Sequence, residues 1–135
     1  MREYAFNAAQ INNITVNNTY CALNAFGFNL AVMNSNFTRA SRYSLYLEGS
    51  NHVVDNCRFV DNSGPSIIGL SMYNLTIKNS TFKNINSPIS GVVEIIDCKD
   101  VNISGCIFNN QNNQSIMILE GSTVYLNNNT LSKSD

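Results

Sequence analysis

Apolar and polar positions alternate along this chain in one short phrase that returns six times. An aliphatic pair stands at positions i and i+2, an Asn follows two residues later, and an aromatic residue usually comes three residues after that. The copies are Ile14-Thr15-Val16-Asn17-Asn18, Leu30-Ala31-Val32-Met33-Asn34, His52-Val53-Val54-Asp55-Asn56, Leu75-Thr76-Ile77-Lys78-Asn79, Val101-Asn102-Ile103-Ser104-Gly105 and Val124-Tyr125-Leu126-Asn127-Asn128. The anchors that follow them are Cys21, Phe37, Phe59, Phe82, Phe108 and Leu131, spaced 22, 23, 26 and 23 residues apart from Phe37 onward. Strict alternation is the period of a strand. A constant repeat in the low twenties indicates stacked coils, a solenoid.

One face of the phrase reads Val16, Val32, Val54, Ile77, Ile103 and Leu126, an aliphatic column assigned to the interior. The alternate positions are mostly polar or β-tolerant and face outward. Coils stacked at the usual strand spacing of about 4.8 Å make Asp55 and Lys78 outward neighbours of opposite charge. The repeated Asn falls where the strand must turn. Asn accepts the left-handed backbone conformation better than other non-glycine residues, and its amide can bond the next Asn in the stack. The ladder read this way comprises Asn18, Asn34, Asn56, Asn79 and Asn128, with Gly105 substituting once.

A second apolar run precedes the later phrases: Tyr43 to Leu47, Ile67 to Leu70, Val92 to Ile96 and Ile116 to Leu119. Each coil therefore holds two longer strands and a short third one ending at the aromatic, with a variable loop after it. No segment offers the helical crossovers a βαβ sheet requires. The expected fold is all-β, a right-handed parallel β-helix of about six coils and three short parallel sheets. Residues 13–131 form its single domain, 1–12 a lead-in or cap, and 132–135 a polar tail. The first coil, counted from Asn18 to Asn34, is unusually short and reads as irregular.

The stretch Asn74-Leu75-Thr76-Ile77-Lys78-Asn79-Ser80-Thr81-Phe82-Lys83-Asn84 resembles the repeat of the pectate-lyase-like β-helix superfamily. The resemblance extends over residues 13–131. It implies the fold and leaves the activity open among polysaccharide lyases and hydrolases, tailspikes, adhesins and structural repeats.

Charge narrows the field. Net charge is −1 and charged residues make up 13% of the 135 positions, so no basic face for nucleic acid is expected. No apolar run approaches the length of a spanning helix, so no membrane span is expected. Pectin-degrading relatives use clustered Asp residues, often with calcium, or an Arg or Lys base; here acids are few. Glu48, Asp97 and Glu120 fall in one turn column with Ser71, a candidate carbohydrate or calcium column, since neighbouring carboxylates could bind calcium or share acid and base roles. A solvated turn edge is the competing reading. His52, the single histidine, occupies a core-lining corner and is expected to be structural. Arg39, Arg42 and Arg58 surround one coil and could grip an acidic sugar. No catalytic residue and no metal site is assigned. Cys57 and Cys106 share a coil position two coils apart, beyond disulfide reach, and the four cysteines read as small buried thiols.

Asn-x-Ser/Thr triplets occur at eight positions. Asn79 and Asn128 belong to the ladder, which leaves Asn13, Asn17, Asn36, Asn74, Asn102 and Asn113 as glycosylation candidates. The expectation is a non-enzymatic, extracellular or cell-surface structural or adhesive solenoid. It would carry glycans and self-associate through its coil ends or one β wall, or be part of a longer solenoid. The alternatives are a polysaccharide-binding or -cleaving module and a segment of a trimeric tailspike-type protein.

Overall fold

The computed structural model describes residues 7–132, and every regular element among them is a strand. The strands stack in three parallel ladders. The first contains β1 (Ala9–Asn12), β4 (Leu30–Met33), the second half of β6 (Tyr43–Asp55), the second half of β8 (Ile67–Lys78), β11 (Lys99–Ser104) and β14 (Val124–Asn127). The second contains β3 (Cys21–Phe28), the first halves of β6 and β8, β10 (Val93–Ile96) and β13 (Ile116–Leu119). The third contains β2 (Thr15–Asn17), β5 (Asn36–Thr38), β7 (Arg58–Val60), β9 (Thr81–Lys83), β12 (Ile107–Asn109) and β15 (Thr130–Ser132). Because β6 and β8 bend through two ladders without a break, the first two ladders join into one nine-stranded sheet.

Three kinds of column fill the interior. Val32, Val54, Ile77 and Ile103 superpose and are fully enclosed. Leu45, Ile67 and Val93 do the same in the second ladder. In the third, the rings of Phe37, Phe59, Phe82 and Phe108 stack face to face. Their centroids are 5.2, 4.9 and 4.6 Å apart, with interplanar angles of 13°, 5° and 7°. The strand repeat holds the rings at this separation, so backbone pairing and ring contact reinforce each other.

The turn residues explain the tight corners. Asn13, Asn34, Asn56, Asn79, Gly105 and Asn128 form one column, all with φ between 52° and 61°. Five residues later, Asn18, Arg39, Asp61, Asn84 and Asn110 form a second such column, φ 53° to 60°. Asn56 donates its amide to Asn34 Oδ1 at 2.8 Å, Asn84 to Asp61 Oδ1 at 2.9 Å and Asn110 to Asn84 Oδ1 at 2.8 Å. Some rungs step sideways: Asn34 bonds Asn12 Oδ1 and Asn79 bonds Asp55 Oδ1. The ladder side chains face solvent, Asn79 and Asn128 among them.

The first coil departs from the expected register. β1 pairs with β4, so Ile11 lies under Val32, while Val16 lies under Phe37 and therefore heads the aromatic column. Cys21, expected in that column, instead lies under Tyr43. Asn18 belongs to the second turn column and accepts a bond from the Arg39 guanidinium at 2.9 Å; the ladder column begins at Asn13. The physical reason is that each coil turns twice, five residues apart, at residues that tolerate positive φ, so the phrase can be laid on either turn. With Asn13 as its start, the first coil is regular. Residues 9–12, expected in the lead-in, are its first strand, whereas 1–6 and most of the expected polar tail, 133–135, lie outside the described residues.

Candidate functional site

The outward positions of the second ladder read Asn24, Tyr46, Ile68, Glu94 and Met117. Beside them runs the corner where coil length varies. Together they enclose a groove of about 500 Å³, lined by Arg42, Tyr43, Tyr46, Ile68, Pro65 and Glu94 on one side and by residues 87–90 on the other. The rings of Tyr43 and Tyr46 lie 5.7 Å apart, and Phe26 stands 6.2 Å from Tyr46. The Tyr43 hydroxyl donates to Asn24 Oδ1 at 2.6 Å. The Arg42 guanidinium sits 5.7 Å from the ring centres of both Tyr20 and Tyr43, a cation on aromatic faces.

The far wall is pinned by the next coil. Ser87 N–H donates to Asn112 Oδ1 at 2.9 Å, Asn113 donates its amide to the Ser87 carbonyl at 3.3 Å, and the Ser87 and Ser90 hydroxyls share a 2.8 Å bond. Glu94 is half-buried against this wall. Loss of water pushes its carboxyl above the usual glutamate value, and a hydrogen bond with Ser90 partly offsets the shift. Burial likewise raises the Tyr43 phenol, helped by neighbouring Cys21. The result is a concave, aromatic-walled surface with one carboxyl and one guanidinium.

The expected column of acids is divided. Ser71, Asp97 and Glu120 do line one turn, each at positive φ, and Ser71 Oγ donates to Asp97 Oδ2 at 3.3 Å. Glu48 leaves them: the register shifts between Leu47 and Gly49, and Glu48 is only 6% exposed. The next coil carries one more residue there: Leu70 and Ser71 together stand opposite Glu48, and Ser71 turns at φ 50°. Among the described residues, no three His, Cys, Asp or Glu side chains come together in a way that could hold a metal ion.

His52 is buried in the first ladder. Its Nε2–H donates to the Glu48 carbonyl at 2.8 Å, and Nδ1 accepts the Leu30 N–H at 3.1 Å. Both ring nitrogens are used by backbone, and burial lowers its pKa, so it is a neutral structural imidazole. Arg39 and Arg58 lie on other faces; only Arg42 reaches the groove. The cysteines are free, three of them buried. Cys57 and Cys106 share a column with Ser35 and Ser80, where each side chain donates to the carbonyl two residues earlier.

The sequon residues divide by what their amides do. Asn74 donates to Asn51 Oδ1 and Asn113 to the Ser87 carbonyl, so both amides are engaged. Asn13, Asn17 and Asn102 are exposed and Asn36 is partly so. Glu94 received no role in the sequence reading, although a signal existed: it is the sole charge inside the apolar run Val92 to Ile96, at an outward position.

A solved structure resembles this one closely in shape. It is a proposed glycosyl hydrolase from Parabacteroides merdae, matched at a TM-score of 0.68 and 11% identity over 93% of this chain and 77% of that one. At that identity the likeness concerns the fold. No curated protein matches the sequence. The family profile described as right handed beta helix region matches residues 3–135, and with three parallel ladders around an aliphatic and phenylalanine interior, the chain belongs to the right-handed β-helix family.

Proposed function

We propose that this chain is a non-catalytic, saccharide-recognising adhesive β-helix that works outside the cell. The observation that carries the reading is the groove over the second ladder. Tyr46, backed by the buried Tyr43, offers a ring face to the C–H side of a sugar, while Arg42 and Glu94 offer a charged donor and an acceptor for carboxylate and hydroxyl groups. Glycoside hydrolysis ordinarily takes two carboxyl groups flanking the bond, and Glu94 is the one carboxyl among the described residues lining the groove. Binding without cleavage is therefore favoured over the polysaccharide-cleaving alternative suggested by the glycosyl hydrolase neighbour. Rigidity supports adhesion, because a continuous stack holds the groove in shape before a ligand arrives.

Thermal unfolding with a panel of acidic and neutral oligosaccharides tests this. An acidic oligosaccharide is expected to raise the melting temperature, since a ligand at about 100 times its dissociation constant adds about 2.7 kcal/mol, and to be recovered uncut. Tyr46→Ala with Arg42→Ala should remove the shift and keep the fold. Shortened products would establish the cleaving alternative, and a panel without any shift would defeat the groove as a sugar site.

Glycans belong to the same proposal. Asn13, Asn17, Asn36 and Asn102 are the best placed of the six candidates, because a sugar on Asn74 or Asn113 would displace an existing amide bond. Intact mass before and after glycan removal, on chain secreted by a eukaryotic host, should locate modification there. An unchanged mass would remove glycosylation from the proposal.

A further inference from the structure

The groove over the second ladder holds a cation and a carboxyl that do not meet. Arg42 is fixed in place at backbone and side chain. Its backbone N–H donates to the Tyr20 carbonyl at 3.0 Å, and Gly64 packs against its carbonyl so closely that a Cβ there would lie 1.9 Å from the oxygen. Its guanidinium rests against the rings of Tyr20 and Tyr43. Among the described residues it pairs with no carboxylate, Glu94 included, although both line the groove. Glu94 stands in an apolar neighbourhood. Along its ladder it lies between Ile68 and Met117, and it hydrogen-bonds Ser90 of the far wall. The segments packed around it, 67–70, 87–91 and 116–119, contain no acid or base. The titratable groups that share the groove with it are Arg42, Tyr43 and Tyr46, with Cys21 beside Tyr43. Glu48, farther along the strand of Tyr46, does not line the groove.

A carboxylate brought between Arg42 and Glu94 meets two different hosts. Arg42 attracts it at every ordinary pH. Ionised Glu94 repels it, whereas protonated Glu94 donates an O–H to it, a strong bond to a charged acceptor. Loss of water already favours the protonated form. We infer that an acidic sugar seats its carboxylate between Arg42 and Glu94, and that Glu94 takes up a proton as it does, so the groove tightens its hold as pH falls. The inference rests on the saccharide reading and adds to it a means of release. Where Glu94 of the free chain is ionised, each ligand bound draws in a proton, so affinity grows on acidification. Once the free chain is itself protonated there, affinity levels off. His52 lies away from this site, with both ring nitrogens bonded to backbone in the first ladder, and the raised Tyr43 phenol stays neutral through the range.

Calorimetric titration with an oligosaccharide of glucuronic acid at pH 5.5 and 7.5 tests it, since the ligand's own carboxylates stay ionised at both. Affinity should be about tenfold higher at pH 5.5. At pH 7.5 the heat should differ between buffers of unlike ionisation enthalpy, which reports the proton taken up. Glu94→Gln keeps the shape and supplies an N–H donor without a titrating group. It should bind at pH 7.5 about as tightly as the native chain does at pH 5.5, and equally at both. The same titrations in a His52→Leu background, where stability varies less with pH, should give the same trend. Affinity that is equal at the two pH values, or lower at pH 5.5, or a trend that survives Glu94→Gln, would overturn the proton link and leave the sugar site standing. No binding at either pH would overturn both.

Discussion

The fourth coil and the last one are written in the same phrase and live in different solvents. Leu75, Ile77 and Phe82 are sealed between neighbours above and below, whereas Val124, Leu126 and Leu131 have, among the described residues, a coil on one side only. What a residue contributes in a solenoid thus depends on its rung as much as on its type, because each coil gains most of its stability from the interface with the next.

The sharpest way to break this comparison is to shorten the same column at two heights. Phe82→Ala, between the rings of Phe59 and Phe108, should cost about 3–5 kcal/mol, while Leu131→Ala should cost under about 1 kcal/mol. Urea unfolding midpoints of the two variants measure the difference; equal losses would mean that the rung does not set what a residue contributes. Next in size, Asn79→Ala removes a residue suited to positive φ and an amide bond, and should cost about 1–2 kcal/mol. Asn79→Gly should cost less, since Gly105 already holds that column.

The pH dependence is smaller and again belongs to the middle. The neutral form of His52 is the one hydrogen-bonded in the fold, and its pKa lies below the ordinary 6.5. The unfolded chain therefore binds the proton first. Stability from this residue is full above pH 6.5 and declines as pH falls below it toward the folded value. Melting temperatures from pH 8 to 5 should show the decline, and His52→Leu, which matches Leu75 above it, should flatten it. Smallest is the pair Glu94→Gln and Glu120→Gln. The raised Glu94 carboxyl disfavours the charged form in the fold, so the first variant should slightly raise the melting temperature at pH 7. The second, on an exposed turn, should leave it unchanged.

The repeat was legible because alternation and period are one-dimensional properties. Phe37, Phe59, Phe82 and Phe108 superpose as their spacing implied, and Asp55 and Lys78 stand 3.9 Å apart on the outside. The slip in the first coil came from two turn columns that accept the same residue types, which only pairing across coils could separate. Glu48 left its expected column because the next coil carries one more residue, at Leu70 and Ser71, than its own coil does there. The groove stayed hidden for a different reason. It joins outward residues of one ladder to a loop contributed by the following corner, a neighbourhood that no local pattern encodes. The apolar look of Val92 to Ile96 hinted that something covers that wall, and residues 87–90 lie over part of it.

Coil length changes mostly at one corner. Successive turns advance by 21, 22, 23, 26 and 23 residues, yet the three ladders keep their alignment, because most extra residues leave the wall after the aromatic and rejoin before the next long strand, and the one added at Leu70 and Ser71 is taken up as a bulge. Doubling such an excursion adds only about 0.6 kcal/mol of closure entropy. Evolution can therefore lengthen, shorten or rewrite this margin while the spine stays untouched. The wall that shapes the groove is also the cheapest part of the molecule to edit, so descendants of one rod could diverge in what they grasp well before they diverge in how they stand.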